Sequence, residues 1–465
     1  MILRYCKSMP RNKAIAFDCI SEKAFSFCHA KDDIYRCFNC TTRLENIRNL
    51  FQYGHWQTEH ANRHLVARLI CIVKGKVAGP YPTIDNLRPI VVASYVIKLL
   101  ERPIFDQLQT YVKLQISDSQ AGFRPGLNTK DNHKKLIKMI KKFDHRGLVV
   151  FYDFASAFET IDRHRLICKL KEKNILTDTN LQLLQFLMTK LEIQHGGFKT
   201  KSEAGVPQGL AISPLLFIIF IDDLLKDLKA NGLYTIAFAD DICGILRTAN
   251  CLTKYDKIMR KYCSENNLHI NEKKCGILLM DKKTRDSLGN RPSYSNIPLV
   301  KTYRFLGINT SGRFDLKGHL EEVKKSCSRL ITMIQPYYSK ATFKTQALLF
   351  KTLITTKLKY CSEWASELGP DEEARLRSTE RYLLKKLFRL GLNINNELVE
   401  ALLNMLYKKI SNRENMINKS IQVIRLFNRA TDLDKSRLSS KKLVEKYGIL
   451  INNESLREAS IKKTC

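Results

Sequence analysis

The segment Thr235–Leu246 reads Thr-Ile-Ala-Phe-Ala-Asp-Asp-Ile-Cys-Gly-Ile-Leu, with two adjacent carboxylates at the centre of an otherwise apolar window. The apolar runs on either side predict short buried strands, and the Ala-Asp-Asp step predicts a tight hairpin turn between them. Adjacent acids between buried strands are costly unless a positive charge sits on them. A divalent metal is the natural partner, because Mg²⁺ takes carboxylate oxygens and keeps coordination places for substrate phosphates. A solvated Asp-Asp turn is the plainer alternative. A third carboxylate and a cradle for nucleic acid elsewhere in the chain would decide between them.

The 465 residues leave room for two or three domains, or for one enzyme of several subdomains. A hydrophobic content of 44% supplies real cores and argues against wholesale disorder. Lysine and arginine number 78 against 46 aspartates and glutamates, a formal net charge of +32. That excess implies a polyanionic partner, nucleic acid before anionic membrane. No amphipathic anchor or lipidation signal favours the membrane. The longest apolar run, Leu210–Ile221, is interrupted by Ser213 and Pro214 and is too short to span a bilayer. The 14 cysteines follow no framework pattern and no secretory signal is seen, so they read as reduced thiols of an intracellular protein, nuclear or cytoplasmic. Cys37 and Cys40, with His60 and His64, have the residue types of a zinc site without the spacing of a finger. Buried thiols and surface histidines are the simpler reading.

In chain order, Leu69–Val73 predicts a strand followed by a basic turn, Lys74-Gly75-Lys76. A Pro/Gly-rich loop, Gly79–Pro82, leads to Leu87–Val92, and Tyr95–Tyr111 predicts a helix with an irregularity at Pro103. Gln120–Gly126 is a Gly-rich turn. Lys74, Lys76, Arg88 and Arg124 offer four cations from neighbouring turns, either solvated or clasping a triphosphate. Gly147–Phe154 predicts a central strand covered on both faces and ending at Asp153, after which Ala155–Asp162 turns into a helix. Asp153 facing the Asp240-Asp241 hairpin gives three carboxylates able to meet across adjacent strands, the arrangement of a two-metal site. Between them, Gly205 and Gly209 bracket Pro207-Gln208 in a stiff turn where backbone can approach a base pair closely. Leu215–Leu224 predicts an apolar helix, and Leu268–Met280 a basic turn and a strand. Tyr303–Ile308 predicts a short aromatic strand ending a sheet. Glu321–Met333, Lys344–Leu358 and Ala374–Leu390 predict helices, the last capped by Gly391; the segment from 396 onward reads as helical and basic.

Arg88-Pro-Ile, Gln120–Gly126, Asp153 with Ala157-Phe158, Gly205–Gly209, Phe238–Asp241, Asn271 with Lys274, and Phe305-Leu-Gly307 fall in one order. That series resembles the reverse transcriptases of LINE-like (non-LTR) retrotransposons, from about Trp56 to about Leu390. The resemblance implies an α+β right-hand polymerase, with a small mixed fingers sheet, an antiparallel-sheet palm and a helical thumb. The implied segments are 1–50 unassigned, 51–146 fingers, 147–311 palm, 312–395 thumb, and 396–465 a basic helical C-terminal segment. By resemblance, Asp153, Asp240 and Asp241 are metal ligands for two Mg²⁺ ions, with Mn²⁺ able to substitute. Arg88 and Lys74 hold the incoming triphosphate. Arg124 lies in the next fingers motif and holds either the fold or the template. Gln208 and Gly209 lie against the nascent base pair, Lys274 (or Lys273) assists the leaving pyrophosphate, and Tyr303–Gly307 forms the primer grip. Phe158, five residues after Asp153, falls in the turn expected beneath the ribose, where it reads either as a gate against a 2′-hydroxyl or, flanked by Phe154 and Ile161 at helical spacing, as a core aromatic. The implied partners are an RNA template, a DNA primer or RNA–DNA hybrid, and deoxynucleoside triphosphates, with no membrane.

Three features depart from the family pattern. Ser156 stands where lysine is common, and Glu159 where aspartate is common. No endonuclease domain is recognisable, so a truncated copy, a fragment of a polyprotein or a host-retained gene is expected. The competing readings are an RNA-dependent RNA polymerase and a catalytically silent nucleic-acid-binding relic. The fingers motifs and Phe158 argue against the first, and the three intact acids against the second.

Overall fold

Strand β3 (Leu148–Tyr152) is buried at every position, as its unbroken Leu-Val-Val-Phe-Tyr run requires of a strand covered on both faces. The computed structural model of the chain describes residues 65–75, 81–83, 86–289, 291–338 and 348–388, with isolated positions 345, 396, 399 and 403. Two compact units divide at Lys301 and Thr302.

In the first unit, β1 (Val66–Val73) and β2 (Leu87–Val92) precede α1 (Tyr95–Gln115) and α2 (Thr129–Lys142). After β3 come α3 (Arg163–Glu172), α4 (Asp178–Lys190), β4 (Glu192–His195) and β5 (Phe198–Lys201). They are followed by α5 (Ser213–Phe220), α6 (Asp222–Ala230), β6 (Tyr234–Phe238), β7 (Asp241–Leu246), α7 (Ala249–Asn266) and β8 (Gly276–Leu279). Two four-stranded sheets result. One runs β2-β1-β4-β5 and is mixed, β1 lying parallel to β4 and the other pairs antiparallel. The other runs β6-β7-β3-β8 and is wholly antiparallel. One apolar core extends from Leu65 to Ile297 and takes in both sheets.

Local chemistry sets the element ends. Ser94 caps α1 by accepting from the Ile97 N–H, and Asn128 and Asp131 form a capping box on α2. Buried Glu101 on α1 accepts from the Ala211 and Ile212 N–H groups at 2.9 and 3.3 Å. It thereby satisfies donors at the N-terminus of α5 and opposes its dipole charge. Tyr152, which ends β3, donates its hydroxyl to Asp256 Oδ1 at 2.8 Å, and Arg260 pairs with both Asp256 and Glu272. The C-terminal end of β3 is therefore anchored on α7.

Several expectations change. Residues 155–160 form turns and α3 begins only at Arg163, because Ser156 has φ +49° and Asp162 acts as the helix cap. The apolar run after Pro214 divides into α5 and α6 at Ile221. The mixed sheet of β1 and β2 recruits β4 and β5 from inside 147–311, so spatial neighbours cross the expected sequence boundary. Among the described residues Thr302–Phe305 ends no larger sheet and pairs only with Ile308–Ser311, as a hairpin.

In the second unit the described helices are Lys317–Tyr338, Thr356–Tyr360, Ser362–Leu368 and Pro370–Leu387, with a π-helical turn at Phe350–Thr355. Trp364 is fully buried and donates to Phe314 O, and the Tyr360 hydroxyl donates to Leu306 O. The expected cap at Gly391, Lys76, the Cys37/Cys40 and His60/His64 set, and nearly all of 396–465 lie outside the described residues. Among the described residues no helix is long and apolar enough to cross a membrane.

Candidate active site

Strand register brings the three acids together. Tyr152 pairs with Ile242 at the last rung between β3 and β7, so one further step sets Asp153 opposite Asp241. Asp240 lies in the two-residue loop joining Phe238 to Asp241, which are themselves paired. Ala239, the first residue of that loop, has φ +56°. This left-handed conformation costs a residue with a Cβ about 1 kcal/mol or more, so its surroundings must hold the turn.

The carboxylates act on one another. Burial raises the Asp240 carboxyl, with Asp153 adding to the shift while Arg88 and Lys274 oppose it. Burial, followed by the charges of Asp240 and Asp153, pushes Asp241 up to about 7 against Lys274. Lys274 Nζ stands 3.5 Å from Asp153 Oδ2, a buried oxygen that accepts no hydrogen bond from the described residues. Among the described residues no three His, Cys, Asp or Glu side chains close into a metal cage. An open set of hard oxygens with an unsatisfied lone pair nonetheless suits Mg²⁺, which binds through one or two carboxylates plus substrate phosphates.

A stability prediction follows from the raised Asp241. A carboxyl raised in the folded state contributes stability that is present below its unfolded value, near 4, and lost as pH rises through about 7. Asp241→Asn is therefore expected to raise the Tm of the metal-free protein at pH 8 by roughly 3–8 °C, a gain that disappears near pH 4. Thermal unfolding in chelator across that range checks it. An equal Tm difference at both pH values contradicts it.

The basic candidates divide. Arg88, opposite Ile72 in the β1–β2 pair, acts on Asp240. Lys74 follows β1 at the hairpin end, its N–H donating to Asn86 O at 2.7 Å. Arg124 Nη1 donates to Ser117 O and Gln120 O, both at 3.1 Å, and its side chain is 14% exposed. Of its two possible roles, that geometry favours holding the turn.

The loop 205–209 is packed between β2 and the turn after Asp153. Gln208 O accepts from the Val91 N–H at 2.6 Å, and Phe158 O accepts from the Val206 N–H at 2.8 Å. Gly209, at φ +116°, leaves no room for a Cβ against Val91 O; Gly205, at φ +67°, leaves none against Phe158 O. The half-buried Phe158 ring stacks on buried Phe217 with centroids 4.9 Å apart. Two residues that the motifs did not single out as site residues also matter here. Glu159 Oε1 accepts from Gln208 Nε2 at 2.6 Å. Arg163 donates to Gly205 O, Met188 O, Ser202 O and Ala204 O, stapling the loop from behind. In the sequence Glu159 showed only as a departure from pattern, and Arg163 as one more basic residue.

The family model described as reverse transcriptase (RNA-dependent DNA polymerase) matches residues 74–310, just over half of the chain. The chain belongs to the reverse transcriptase family. Among curated relatives, the RNA-directed DNA polymerase from mobile element jockey of Drosophila funebris is 23% identical over 348 residues, covering 69% of this chain and 37% of that protein. The probable RNA-directed DNA polymerase from transposon BS of Drosophila melanogaster is 26% identical over 283 residues, covering 54% and 30%. The chain thus spans about a third of the length of these relatives. A solved telomerase from Candida albicans, in complex with a fragment of telomeric RNA, is similar with TM-score 0.45 and 11% identity, covering 72% of this chain and 64% of that one. The resemblance to LINE-like reverse transcriptases is borne out, as is the α+β polymerase fold with its antiparallel sheet. Reverse transcriptases of this family use divalent metal ions.

Proposed function

We propose that this chain is an RNA-directed DNA polymerase that adds deoxynucleotides to a primer 3′-hydroxyl. The observation that carries this reading is the β3–β7 register, which aligns Asp153 with the Asp240–Asp241 hairpin at the end of a buried antiparallel sheet. In this reading Asp153, Asp240 and Asp241 hold two Mg²⁺ ions, with Mn²⁺ able to substitute. When bound, the ions lower the pKa of the attacking hydroxyl and neutralise charge on the leaving pyrophosphate.

The protein's own groups do the rest. Arg88, already acting electrostatically on Asp240, supplies a fork suited to a triphosphate oxygen pair, with Lys74 beside the same hairpin end. Lys274, paired with Asp153, is positioned to receive negative charge developing on the pyrophosphate. Pro207-Gln208-Gly209, braced by Glu159 and Arg163, presents a stiff surface for the nascent pair. Phe158 supplies an apolar wall beneath the sugar. The mixed sheet corresponds to fingers, the antiparallel sheet to palm and the helices after Gly312 to thumb.

The test is extension of a DNA primer on an annealed RNA template in Mg²⁺, with chelator as control. Full-length product is expected. A well-folded protein as inert as its Asp240→Ala/Asp241→Ala form would instead be a relic. Binding has its own signature. With a net charge of +32, template–primer affinity is expected to fall linearly in log salt, by about 10³-fold or more between 50 and 200 mM if six or more phosphates are contacted. A flat salt dependence in a filter-binding assay would leave the charge unexplained.

A further inference from the structure

The Ala239–Asp240 turn carries Asp240 and leads directly into Asp241, with Ala239 in a conformation that alanine does not favour, and one buried amide brackets it. Gln120 is fully buried. Its Oε1 accepts from the Ala239 N–H at 2.8 Å and from the Gly122 N–H at 2.8 Å, and its Nε2 donates to Ala239 O at 3.3 Å. Both backbone groups of the residue before Asp240 are therefore engaged by one side chain.

The adjoining backbone strengthens the grip. Ala237 donates to Ser119 O at 2.7 Å and accepts from the Ala121 N–H at 2.9 Å, so residues 119–121 pair with the outer edge of β6. Buried Asn132 adds a bond from Nδ2 to Ala237 O at 3.0 Å. Gly122 lies so close that a Cβ there would collide with Ala239 N. Glutamine is matched to this task because its amide offers a donor and an acceptor at one reach. Glutamate keeps only the acceptor when ionised, and methionine keeps only the shape.

We propose that Gln120 is a positioning residue that sets the Ala239–Asp240 turn and so aims the Asp240 and Asp241 carboxylates at their metal ions. This rests on the reading of those two acids as metal ligands. Groups that orient metal ligands carry large functional weight although they touch neither metal nor substrate, their loss typically reducing metal affinity or activity about 10–100-fold.

The test uses the full chain bound to a template–primer whose primer ends in a dideoxynucleotide, with the complementary deoxynucleoside triphosphate present, so that no chemistry follows. Mn²⁺ binding is read from the loss of the free-ion electron paramagnetic resonance signal. Tm and steady-state extension are measured beside it on normal primers. Gln120→Met is expected to weaken Mn²⁺ binding and lower kcat by about 10–100-fold each, with the KM for template–primer within about twofold, because no template contact is lost. Gln120→Glu should fall between Met and wild type. Gln120→Met with wild-type Mn²⁺ affinity and kcat overturns the proposal. If Gln120→Met does not fold, Gln120→Glu decides: wild-type values in a folded protein overturn the proposal, and the expected loss at near-native Tm supports it. The two readings fail differently. Asp241→Ala that binds Mn²⁺ like wild type removes the ligand reading and this proposal together. A clear Asp241 dependence with an indifferent Gln120 removes this proposal alone.

Discussion

Alanine at Asp240 or Asp241 is expected to abolish primer extension while leaving template–primer affinity within about twofold. The two carboxylates sit in and beside one tight turn, opposite Asp153. Burial raises both of them, helped by the charge of Asp153 at Asp240 and by the charges of Asp240 and Asp153 at Asp241, so a cation held between them would stabilise their ionised forms. Losing one ligand removes charge stabilisation worth several kcal/mol in the transition state, which at tenfold per 1.36 kcal/mol is about 10³-fold or more. The basic surface that binds phosphate is untouched, so binding should survive. Joint loss of binding and extension in either variant would indicate a folding defect. Retained extension would remove the acids from the chemistry.

Phe158→Val is expected to raise the ratio of ribonucleotide to deoxynucleotide incorporation by about 10²-fold or more, with a modest loss on deoxynucleotides. Phe158 lies five residues past Asp153 in a turn whose backbone is bonded to Val206, and its ring is braced on Phe217. A braced ring offers a 2′-hydroxyl neither room nor a hydrogen bond. The same stacking is what a core aromatic would show, and as core the substitution would cost about 1–3 kcal/mol of stability and no selectivity. Competition between each ribonucleotide and its deoxy counterpart separates the two. An unchanged ratio in a folded, active variant ends the gate assignment.

The central architecture was legible because its signals are local. An unbroken apolar run reads as a buried strand, and the β3 run ends at the acid that register delivers to Asp241. The Phe-Ala-Asp-Asp step reads as a hairpin, and the loop is Ala239–Asp240. Gly205 and Gly209 read as positions of close approach, and both have positive φ with backbone against them.

What was not legible depends on side chains far apart in sequence. Nothing local links Glu159 to Gln208, or Arg163 to Ser202, because each pair forms only once the loop folds back on the turn after Asp153. The recruitment of β4 and β5 into the sheet of β1 and β2 needs a parallel pairing across more than a hundred residues, which periodicity alone cannot register. The hairpin at Thr302–Phe305 was misjoined for a related reason: an aromatic strand pattern does not reveal its partner. Arg124 illustrates the limit for charges. A guanidinium in a Gly-rich turn reads equally as ligand or staple, and the bonds from its Nη1 to two backbone carbonyls are visible only once the turn is folded.

The most direct measurement is single-nucleotide incorporation on a DNA primer annealed to RNA templates that differ only in the first templating base. Each deoxynucleoside triphosphate is offered alone in Mg²⁺. Only the complementary deoxynucleotide is expected to be added, one per primer, with one pyrophosphate released and no reaction in the Asp240→Ala protein. Addition that ignores the template base, or that proceeds equally with ribonucleotides or in the Asp240→Ala protein, would contradict that expectation.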